Sequence, residues 1–279
     1  MTGLSVLTLV KNREAHLQQL VEGLRRSRRP PDELVVVDMS DTPVEIGPTA
    51  WPVRVIRLET DGLPLAAARN QAARHARGDT LIFLDVDCIP GAEVLDALAQ
   101  AVADTRALVC AEVLYLGPDD ARGAWTEVEL MRRAAPHPVR PFPASGLIAE
   151  PNPGLFWSLA FGVTAAGFKA LGGFDEGYTG YGAEDTDFGF KAHANGTPLV
   201  LMGGAPVFHQ HHDVYDPPLQ HFDALVRNAR LFHAKWGVWP MEGWLDALAA
   251  RGLVDWSPDR LTVARPPTPA EIQAARVTG

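Results

Sequence analysis

Leu81-Ile82-Phe83-Leu84-Asp85-Val86-Asp87-Cys88 is the stretch around which the rest of this sequence is organised. Its four consecutive apolar residues predict a strand that is buried on both faces of a parallel sheet. Such a strand delivers Asp85 and Asp87 at its carboxyl end, where ligands bind in open α/β sheets. At roughly 4 Å and an effective dielectric of about 20, two carboxylates repel each other by about 4 kcal/mol. The pair therefore predicts a divalent cation, Mg²⁺ or Mn²⁺, although two turn aspartates that cap the next helix are the alternative.

The composition indicates a globular protein with one large domain, or with two halves that share a sheet. The 279 residues are 47% apolar and 21% charged, and the formal net charge of -9 argues against a nucleic-acid partner. Cys88 and Cys110 lie in apolar contexts, which indicates buried thiols in a reducing compartment. The apolar run from Leu4 to Val10 is too short for a signal peptide or a membrane span. We therefore expect a cytoplasmic protein without an integral membrane segment, and the oligomeric state stays open.

Strands and helices alternate along the chain. Besides the strand before Asp85, apolar runs predict strands at residues 4–10, 33–37, 51–58 and 107–114. Apolar residues at helical spacing predict amphipathic helices between them, which contain Leu17, Leu65 and Val94. This alternation predicts a parallel, right-handed α/β sandwich with a nucleotide site at the strand ends. The sequence has no G-x-G-x-x-G or Walker loop, which argues against a dinucleotide or P-loop site.

Four motifs in this order resemble the nucleotide-sugar half of the family 2 glycosyltransferases. They are Val10-Lys11-Asn12-Arg13 after the first strand, Val35-Val36-Val37-Asp38 at the end of the second, Ala68-Arg69-Asn70 on a helix, and Phe83-Leu84-Asp85-Val86-Asp87. The resemblance covers about residues 4–212 and implies the GT-A fold, a Rossmann-like sandwich with a mainly parallel central sheet. The family commonly has Pro-Thr-Tyr-Asn where this chain has Leu9-Val10-Lys11-Asn12.

The resemblance also implies a reaction and a donor site. The reaction is an inverting transfer of a hexosyl or N-acetylhexosaminyl group from a nucleotide-diphosphate donor, most often a UDP-sugar, to an acceptor hydroxyl, assisted by Mn²⁺ or Mg²⁺. The implied donor-binding residues are Val10, Arg13, Asp38, Arg69 and Asp85. Asp38 is expected on the base and both arginines near the ribose or diphosphate. Asp85 is expected on the ribose or on metal-bound water, and Asp87 on the metal.

The acceptor side is predicted from a second pair of motifs. Gly172-Gly173-Phe174-Asp175-Glu176, followed by Glu184-Asp185, resembles the acceptor-side signature of the same family. By this resemblance Asp185 is the catalytic base, and Glu184, Trp157 and Tyr181 line the acceptor and sugar pocket. The residues alone also allow Glu184 and Asp185 to be acidic residues at an ordinary helix start, where the helix dipole favours them.

A late strand from Leu199 to Phe208 opens into His209-Gln210-His211-His212. Many GT-A enzymes take a further metal ligand from such a histidine, and His209 is the best match, with His211 second. Because alternate residues of an extended chain lie on one side, both were expected to approach the metal.

Three segments are predicted from these features. Residues 1–114 form the nucleotide-sugar half, 115–212 the acceptor half of the same domain, and 213–279 a C-terminal helical extension. Residues 135–153 contain six prolines, which predicts a loop that either covers a substrate or lies free on the surface. The alternatives to a glycosyltransferase are a metal-dependent hydrolase or a nucleotidyltransferase acting on nucleotide sugars, or a non-catalytic sugar-binding relative.

Overall fold

A ten-stranded sheet is the centre of the computed structural model, which describes residues 3–277. Its strands are β1 (Leu4–Val10), β2 (Glu33–Asp38), β3 (Val53–Arg57), β4 (Thr80–Leu84), β5 (Cys88–Pro90), β6 (Leu108–Tyr115), β7 (Ala135–Pro136), β8 (Gly146–Glu150), β9 (Ala160–Thr164) and β10 (Leu199–His209). β3, β2, β1 and β4 are neighbours in that order and pair in parallel. β6 and β10 also pair in parallel, and β9 joins the two parallel groups by pairing antiparallel with β4 and β6. The predicted α/β sandwich with a mainly parallel sheet is confirmed.

Helices cover both faces of this sheet. The helices of residues 3–277 are α1 (Glu14–Arg26), α2 (Leu65–His75), α3 (Val94–Thr105), α4 (Glu127–Arg133), α5 (Ala165–Ala170), α6 (Glu184–Ala194), α7 (Phe222–Trp236), α8 (Glu242–Ala250) and α9 (Pro269–Ala274). β4 explains why two cores form: Ile82 and Leu84 pack into the core with α1 and α3, whereas Leu81 and Phe83 pack into the core with α2 and α6. Each fully buried side chain of this size contributes about 1.5–3 kcal/mol. None of the described helices combines the length and apolar character that a bilayer crossing requires.

The proline-rich segment differs from the prediction at one point. We expected no regular structure between 135 and 153, but Gly146–Glu150 is the strand β8, paired antiparallel with β10. This part of the segment lies between Pro143 and Pro151 and contains no proline, so each of its residues has an N–H for the ladder. The shorter β7 pairs antiparallel with the end of β6.

The C-terminal segment is helical as predicted, but it also contains short strands. β11 (Val214–Tyr215) pairs with β14 (Arg276–Val277), and β12 (Val254–Ser257) forms a hairpin with β13 (Arg260–Val263). A capping box precedes α9, because Thr268 and Glu271 exchange side-chain and backbone hydrogen bonds. Buried residues of α7, α8 and the hairpin form a cluster of their own, which includes Leu225 and Leu245. The division into three segments stays a prediction.

Candidate active site

The carboxyl edge of the parallel strands carries the candidate site. β4 ends at Leu84, and the Asp85 N–H donates to the Leu159 carbonyl at 2.8 Å. The chain then turns, since the Cys88 N–H donates back to the Asp85 carbonyl at 2.8 Å. β5 begins at Cys88 and pairs antiparallel with the end of β10, which places Cys88 opposite His209. This turn brings Asp87 and the last residue of a distant strand together.

Asp87, His209 and His212 form a group that suits a metal ion. One ligand atom from each lies within 4.8 Å of the others. The His209 Nε2 is 3.5 Å from Asp87 Oδ1, and the His212 Nε2 is 3.4 Å from Asp87 Oδ2. One carboxylate with two imidazoles is a mixed oxygen and nitrogen donor set, which fits Mn²⁺ and similar transition ions better than Mg²⁺.

The protonation states of this group also favour a cation. Burial alone would raise the pKa of Asp87, but His209, Arg13 and His212 lower it overall, so the carboxyl is ionised. Burial lowers the pKa of His212 despite the opposing effect of Asp87, which favours neutral imidazole. An ionised carboxylate and neutral imidazole are the forms that bind metals.

The structure brings His212 to Asp87, and His211 is not part of the group. The expected alternation of residues holds only while the chain is extended, and β10 ends at His209. Beyond it the loop is fixed by hydrogen bonds: the Gln210 N–H donates to the Asp87 carbonyl at 2.7 Å, and the His16 Nε2 lies 3.2 Å from the His211 carbonyl. The histidine run pointed to a ligand loop but did not indicate which of its members follows His209.

Two of the expected donor-binding residues differ in their access to this group. Arg13, just before α1, donates from Nη1 to Asp87 Oδ2 at 2.5 Å, and its side chain is 36% exposed. The charge of Arg13 thus lies beside the group of Asp87, His209 and His212 and is accessible to a ligand. Val10 is fully buried in the core at the end of β1, so only its backbone lies at this edge of the sheet.

Asp38, at the end of β2, is fully buried and already has several donors. It accepts from the Ser40 N–H at 2.9 Å, the Val44 N–H at 3.0 Å and Arg57 Nη1 at 2.6 Å. Burial would raise the pKa of Asp38, but these hydrogen bonds, with the Val44 and Ser40 amides foremost, lower it overall. In this conformation Asp38 therefore organises the loop after β2, and its expected contact with a base stays a prediction.

Arg69 connects the two sides of the site. This residue of α2 is 3% exposed and donates from Nη2 to Asp85 Oδ1 at 3.2 Å and from Nη1 to Glu184 Oε1 at 3.0 Å. Burial, together with the neighbouring Asp87, raises the pKa of Asp85 to about 7 against the opposing effect of Arg69. Burial and the adjacent Asp185 likewise raise the pKa of Glu184. The sequence indicated each residue separately but not this bridge.

Glu184 and Asp185 open α6 after a turn with unusual backbone. Gly180, Gly182 and Ala183 have φ of 78°, 94° and 71°. Asp185 accepts from the Thr186 N–H at 2.7 Å through Oδ1. The side chain of Asp185 is only partly buried, whereas that of Glu184 is buried, so a ligand has readier access to Asp185.

The two predicted pocket aromatics lie in different surroundings. Trp157 makes an edge contact with His137 at 4.8 Å, and the Arg140 guanidinium lies over the Trp157 ring at 4.9 Å. Tyr181 instead stacks on His221 at 4.7 Å. All four residues with these rings are partly exposed. Neither His137 nor His221 could be predicted from the sequence, because an isolated histidine carries no pattern.

Two family models match this chain. The model described as glycosyl transferase family 2 matches residues 5–150, just over half of the chain. A model described as the N-terminal domain of galactosyltransferase matches residues 154–213.

Curated relatives are similar over most of the chain. The validoxylamine A glucosyltransferase of Streptomyces hygroscopicus subsp. limoneus is 30% identical over 230 residues, which are 71% of this chain and 49% of that protein. N-acetylgalactosaminyltransferase 6 of Drosophila melanogaster is 29% identical over 194 residues, 64% of this chain and 25% of that protein. The chain thus spans about half the length, or less, of these relatives.

Solved structures share the fold. GalNAc-T7 with UDP, GalNAc and Mn²⁺ superimposes with a TM-score of 0.55 at 20% identity, over 76% of this chain and 44% of that one. S. aureus TarS 1-349 in complex with UDP-GlcNAc gives a TM-score of 0.56 at 17% identity, over 83% of this chain and 66% of that one. The predicted GT-A fold is confirmed by these neighbours. Together with the match of the first family model, the sequence and the fold show that this chain belongs to glycosyl transferase family 2.

Proposed function

We propose that this chain is an inverting, metal-dependent glycosyltransferase that moves a hexosyl or N-acetylhexosaminyl group from a UDP-sugar to an acceptor hydroxyl. The observation that carries the proposal is the placement of two groups at one edge of the sheet. Asp87, His209 and His212 form the metal-type group, and Arg69 links the neighbouring Asp85 to the Glu184–Asp185 pair. A cation site for a diphosphate thus lies beside candidate acids for an acceptor.

Names of related proteins support the choice of donor. Solved structures with the same fold contain UDP or UDP-GlcNAc, and one of them contains Mn²⁺. The relatives are a glucosyltransferase and an N-acetylgalactosaminyltransferase, which supports transfer of a hexose or an N-acetylhexosamine. The acceptor is assigned only as a hydroxyl, and the cytoplasmic location stays a prediction from the sequence.

The donor is held by charged side chains of this chain. Arg13, next to Asp87, places a cation beside the diphosphate. Asp87, His209 and His212 would hold the metal, and the chemistry that a bound cation supplies is neutralisation of the charge on the leaving diphosphate. Arg69 pairs with both Asp85 and Glu184, and it would hold Asp85 next to the ribose or the metal-bound water of the donor site.

The acceptor is activated from α6. Asp185 takes the proton of the acceptor hydroxyl as the oxygen forms its bond to the anomeric carbon. The bond from that carbon to the diphosphate oxygen breaks on the opposite face, and its electron pair leaves with the diphosphate. A single displacement of this kind inverts the configuration. Glu184, held by Arg69, would bind acceptor or sugar hydroxyls.

A turnover assay tests this proposal. UDP-glucose, UDP-GlcNAc and UDP-GalNAc are incubated with Mn²⁺ and a panel of hydroxyl acceptors, and released UDP and glycosylated product are measured by chromatography. We expect UDP release to depend on Mn²⁺ and to be stimulated by at least one acceptor. Asp185→Asn should abolish product formation, whereas Asp246→Asn, an exposed acid of α8, should not. UDP release at the same rate with and without every acceptor would indicate a hydrolase instead.

A further inference from the structure

The turn that leads to Glu184 and Asp185 lies directly on α7, the first long helix of the C-terminal segment. We call residues 179–183 the acceptor turn. Gly180, Gly182 and Ala183 of this turn have positive φ, and Ala183 is not a glycine. A non-glycine residue in this region is unfavourable and persists only where its surroundings hold it. Neighbouring parts of the molecule must therefore hold the acceptor turn in place.

Asn228 of α7 provides the main contact. Its side chain is buried, with 1% exposure, and its Nδ2 donates to the carbonyls of Gly182 at 2.9 Å, Thr179 at 3.1 Å and Tyr181 at 3.3 Å. An amide nitrogen has two hydrogens, so three carbonyls share them. Peptide carbonyls that turn inward need such a donor, because an unpaired buried polar group is costly. One side chain thus satisfies most of the acceptor turn.

The packing against α7 is close enough to fix the position of the turn. A Cβ atom built on Gly180 would lie 2.6 Å from the Cβ of Ala224, one turn of helix before Asn228. Arg227 also donates to the Thr179 carbonyl. On the other side, a Cβ on Gly182 would lie 3.0 Å from the Met241 sulfur. The turn therefore has little room to shift unless α7 moves with it.

A second anchor lies on the other side of the acid pair. Asp187 of α6 is fully buried and accepts from Lys235 Nζ at 3.0 Å, from Trp236 Nε1 at 2.8 Å and from the Tyr178 hydroxyl at 3.2 Å. Lys235 and Trp236 are the last two residues of α7. Glu184 and Asp185 thus lie between two attachments to the same helix.

We propose that Asn228 is a positioning residue, which holds the acceptor turn from outside the site and so sets the direction in which Asp185 faces the acceptor. The importance of this direction rests on the function proposed above for Asp185. α7 lies outside the segments that the two family models match, since the second of them ends at residue 213. Nothing in the motifs of the first 212 residues assigns a role to this helix.

The chemistry of asparagine suits this position. It supplies two donors without charge, whereas an aspartate at 228 would direct a carboxylate at three carbonyl oxygens. An alanine would leave the Tyr181 and Gly182 carbonyls without this donor, since Arg227 reaches only the Thr179 carbonyl, and the strained turn would be free to relax. Since a displacement of about 1 Å at a catalytic group lowers turnover by about 10²-fold, even a small relaxation has a measurable effect.

The test compares three variants of the full chain. Asn228→Ala removes the donor from α7, and Gly180→Ala pushes the turn off α7 without changing the helix. Leu225→Ala is the matched control, because Leu225 is equally buried in α7 but packs into the C-terminal cluster and not against the turn. Four quantities are measured for each variant: the denaturation midpoint, hydrogen exchange of the amides of residues 180–187, the dissociation constant of UDP in the presence of Mn²⁺, and UDP release. The donor for the last is UDP-glucose or, if that is not a donor, whichever UDP-sugar the wild type turns over.

We expect Asn228→Ala and Gly180→Ala to accelerate amide exchange and to lower turnover by at least about tenfold, up to about 10²-fold. The affinity for UDP should stay within about twofold of the wild type. Leu225→Ala should lower the denaturation midpoint but leave both exchange at 180–187 and turnover unchanged. The proposal is overturned if Asn228→Ala leaves exchange and turnover unaltered, or if Leu225→Ala impairs turnover as much.

The exchange measurement separates this proposal from the proposed function. If the wild type turns over no UDP-sugar, the proposed function fails, but faster exchange in Asn228→Ala alone would still establish that Asn228 holds the turn. Unchanged exchange in an active enzyme would reject the role of Asn228 and leave the glycosyltransferase assignment intact.

Discussion

His209 and His212 reach the same carboxylate because an extended strand ends between them. His209 is held by the register of β10 against β5, and His212 by a loop that hydrogen bonds to Asp87 and approaches α1. Metal binding by this group would therefore depend both on the sheet, which positions His209, and on the loop, which positions His212.

The first prediction compares neighbouring histidines. His212→Ala should weaken Mn²⁺ binding by at least about tenfold, about 1.4 kcal/mol, because it removes one of three protein ligands. His211→Ala is the matched control and should leave the affinity nearly unchanged. Calorimetric titration of Mn²⁺ into each variant measures the effect. An equal loss in both variants would mean that the loop is reorganised when the metal binds.

The second prediction separates binding from chemistry on α6. Asp185→Asn keeps the shape of the side chain but removes its basicity, and a positioned base contributes about 10²–10⁴-fold. We expect kcat to fall by at least about 10²-fold with nearly unchanged donor affinity. Glu184→Gln should instead raise KM more than it lowers kcat. Steady-state kinetics with an identified acceptor measure both, and an Asp185→Asn enzyme of near wild-type rate would place the base elsewhere.

Some residues of the site could be predicted from the sequence and others could not. Asp85 and Asp87 were predicted because a doubly buried strand is a strong pattern and its end has a known location in the fold. The Arg69 bridge was not predicted, because it joins Arg69 to Asp85, 16 positions away, and to Glu184, 115 positions away. It depends on how α2 and α6 approach each other. His212 was missed because loop geometry is not periodic.

At the scale of elements, the end of β2 shows how an acid stabilises a loop. Asp38 connects the strand to the Ser40 and Val44 amides and to Arg57 at the end of β3. In this conformation Asp38 stabilises the loop after β2 and its contact with β3.

The third prediction concerns this carboxylate and pH. Asp38→Asn should lower the free energy of unfolding by about 1–3 kcal/mol at pH 7, because it removes the charge that buried donors surround. The pKa of Asp38 is lowered in the folded protein, so its contribution is present above the unfolded value of 3.8. The contribution is lost as the pH falls through the folded pKa. Urea denaturation of both proteins between pH 3 and 7 should show a difference that shrinks at low pH, and a difference independent of pH would reject the electrostatic account.

Elements with a long apolar run or with regularly spaced apolar residues were predicted well, whereas paired strands without such a pattern were missed. β1 and β4 were predicted close to their observed bounds. β5, β8 and β9 were not, each for its own physical reason. β5 has only three residues, and β8 is an exposed strand whose apolar residues face no core. β9 contains Gly162, where a Cβ would lie 2.9 Å from Val102, so close packing with α3 selects a weak strand former.

At the scale of the whole molecule, an ion pair joins the acceptor side to the C-terminal segment. Lys235 of α7 contacts the buried Asp187 of α6 and also Asp175 at 2.8 Å. Removing one partner leaves the other charge buried without its counter-ion, which is more costly than the pair is stabilising.

The fourth prediction follows from this ion pair. Lys235→Met should lower the free energy of unfolding by about 1–3 kcal/mol at pH 7. Burial would lower the pKa of Lys235, but its bonds to Asp175 and Asp187 raise it overall, so the contribution is present below the unfolded value of 10.5. It is lost as the pH rises through the folded pKa. Thermal denaturation measures the change, with the exposed Lys169→Met as control, and a loss of the same size in the control would contradict the assignment.

We expect Asp87 to organise a metal-dependent nucleotide site, and calorimetric titration of UDP measures this role. UDP is titrated into the wild type with and without Mn²⁺ and into Asp87→Asn with Mn²⁺. We expect Mn²⁺ to tighten UDP binding at least about tenfold, and the substitution to remove that gain. UDP binding that is equally tight without Mn²⁺ and in Asp87→Asn would contradict the account.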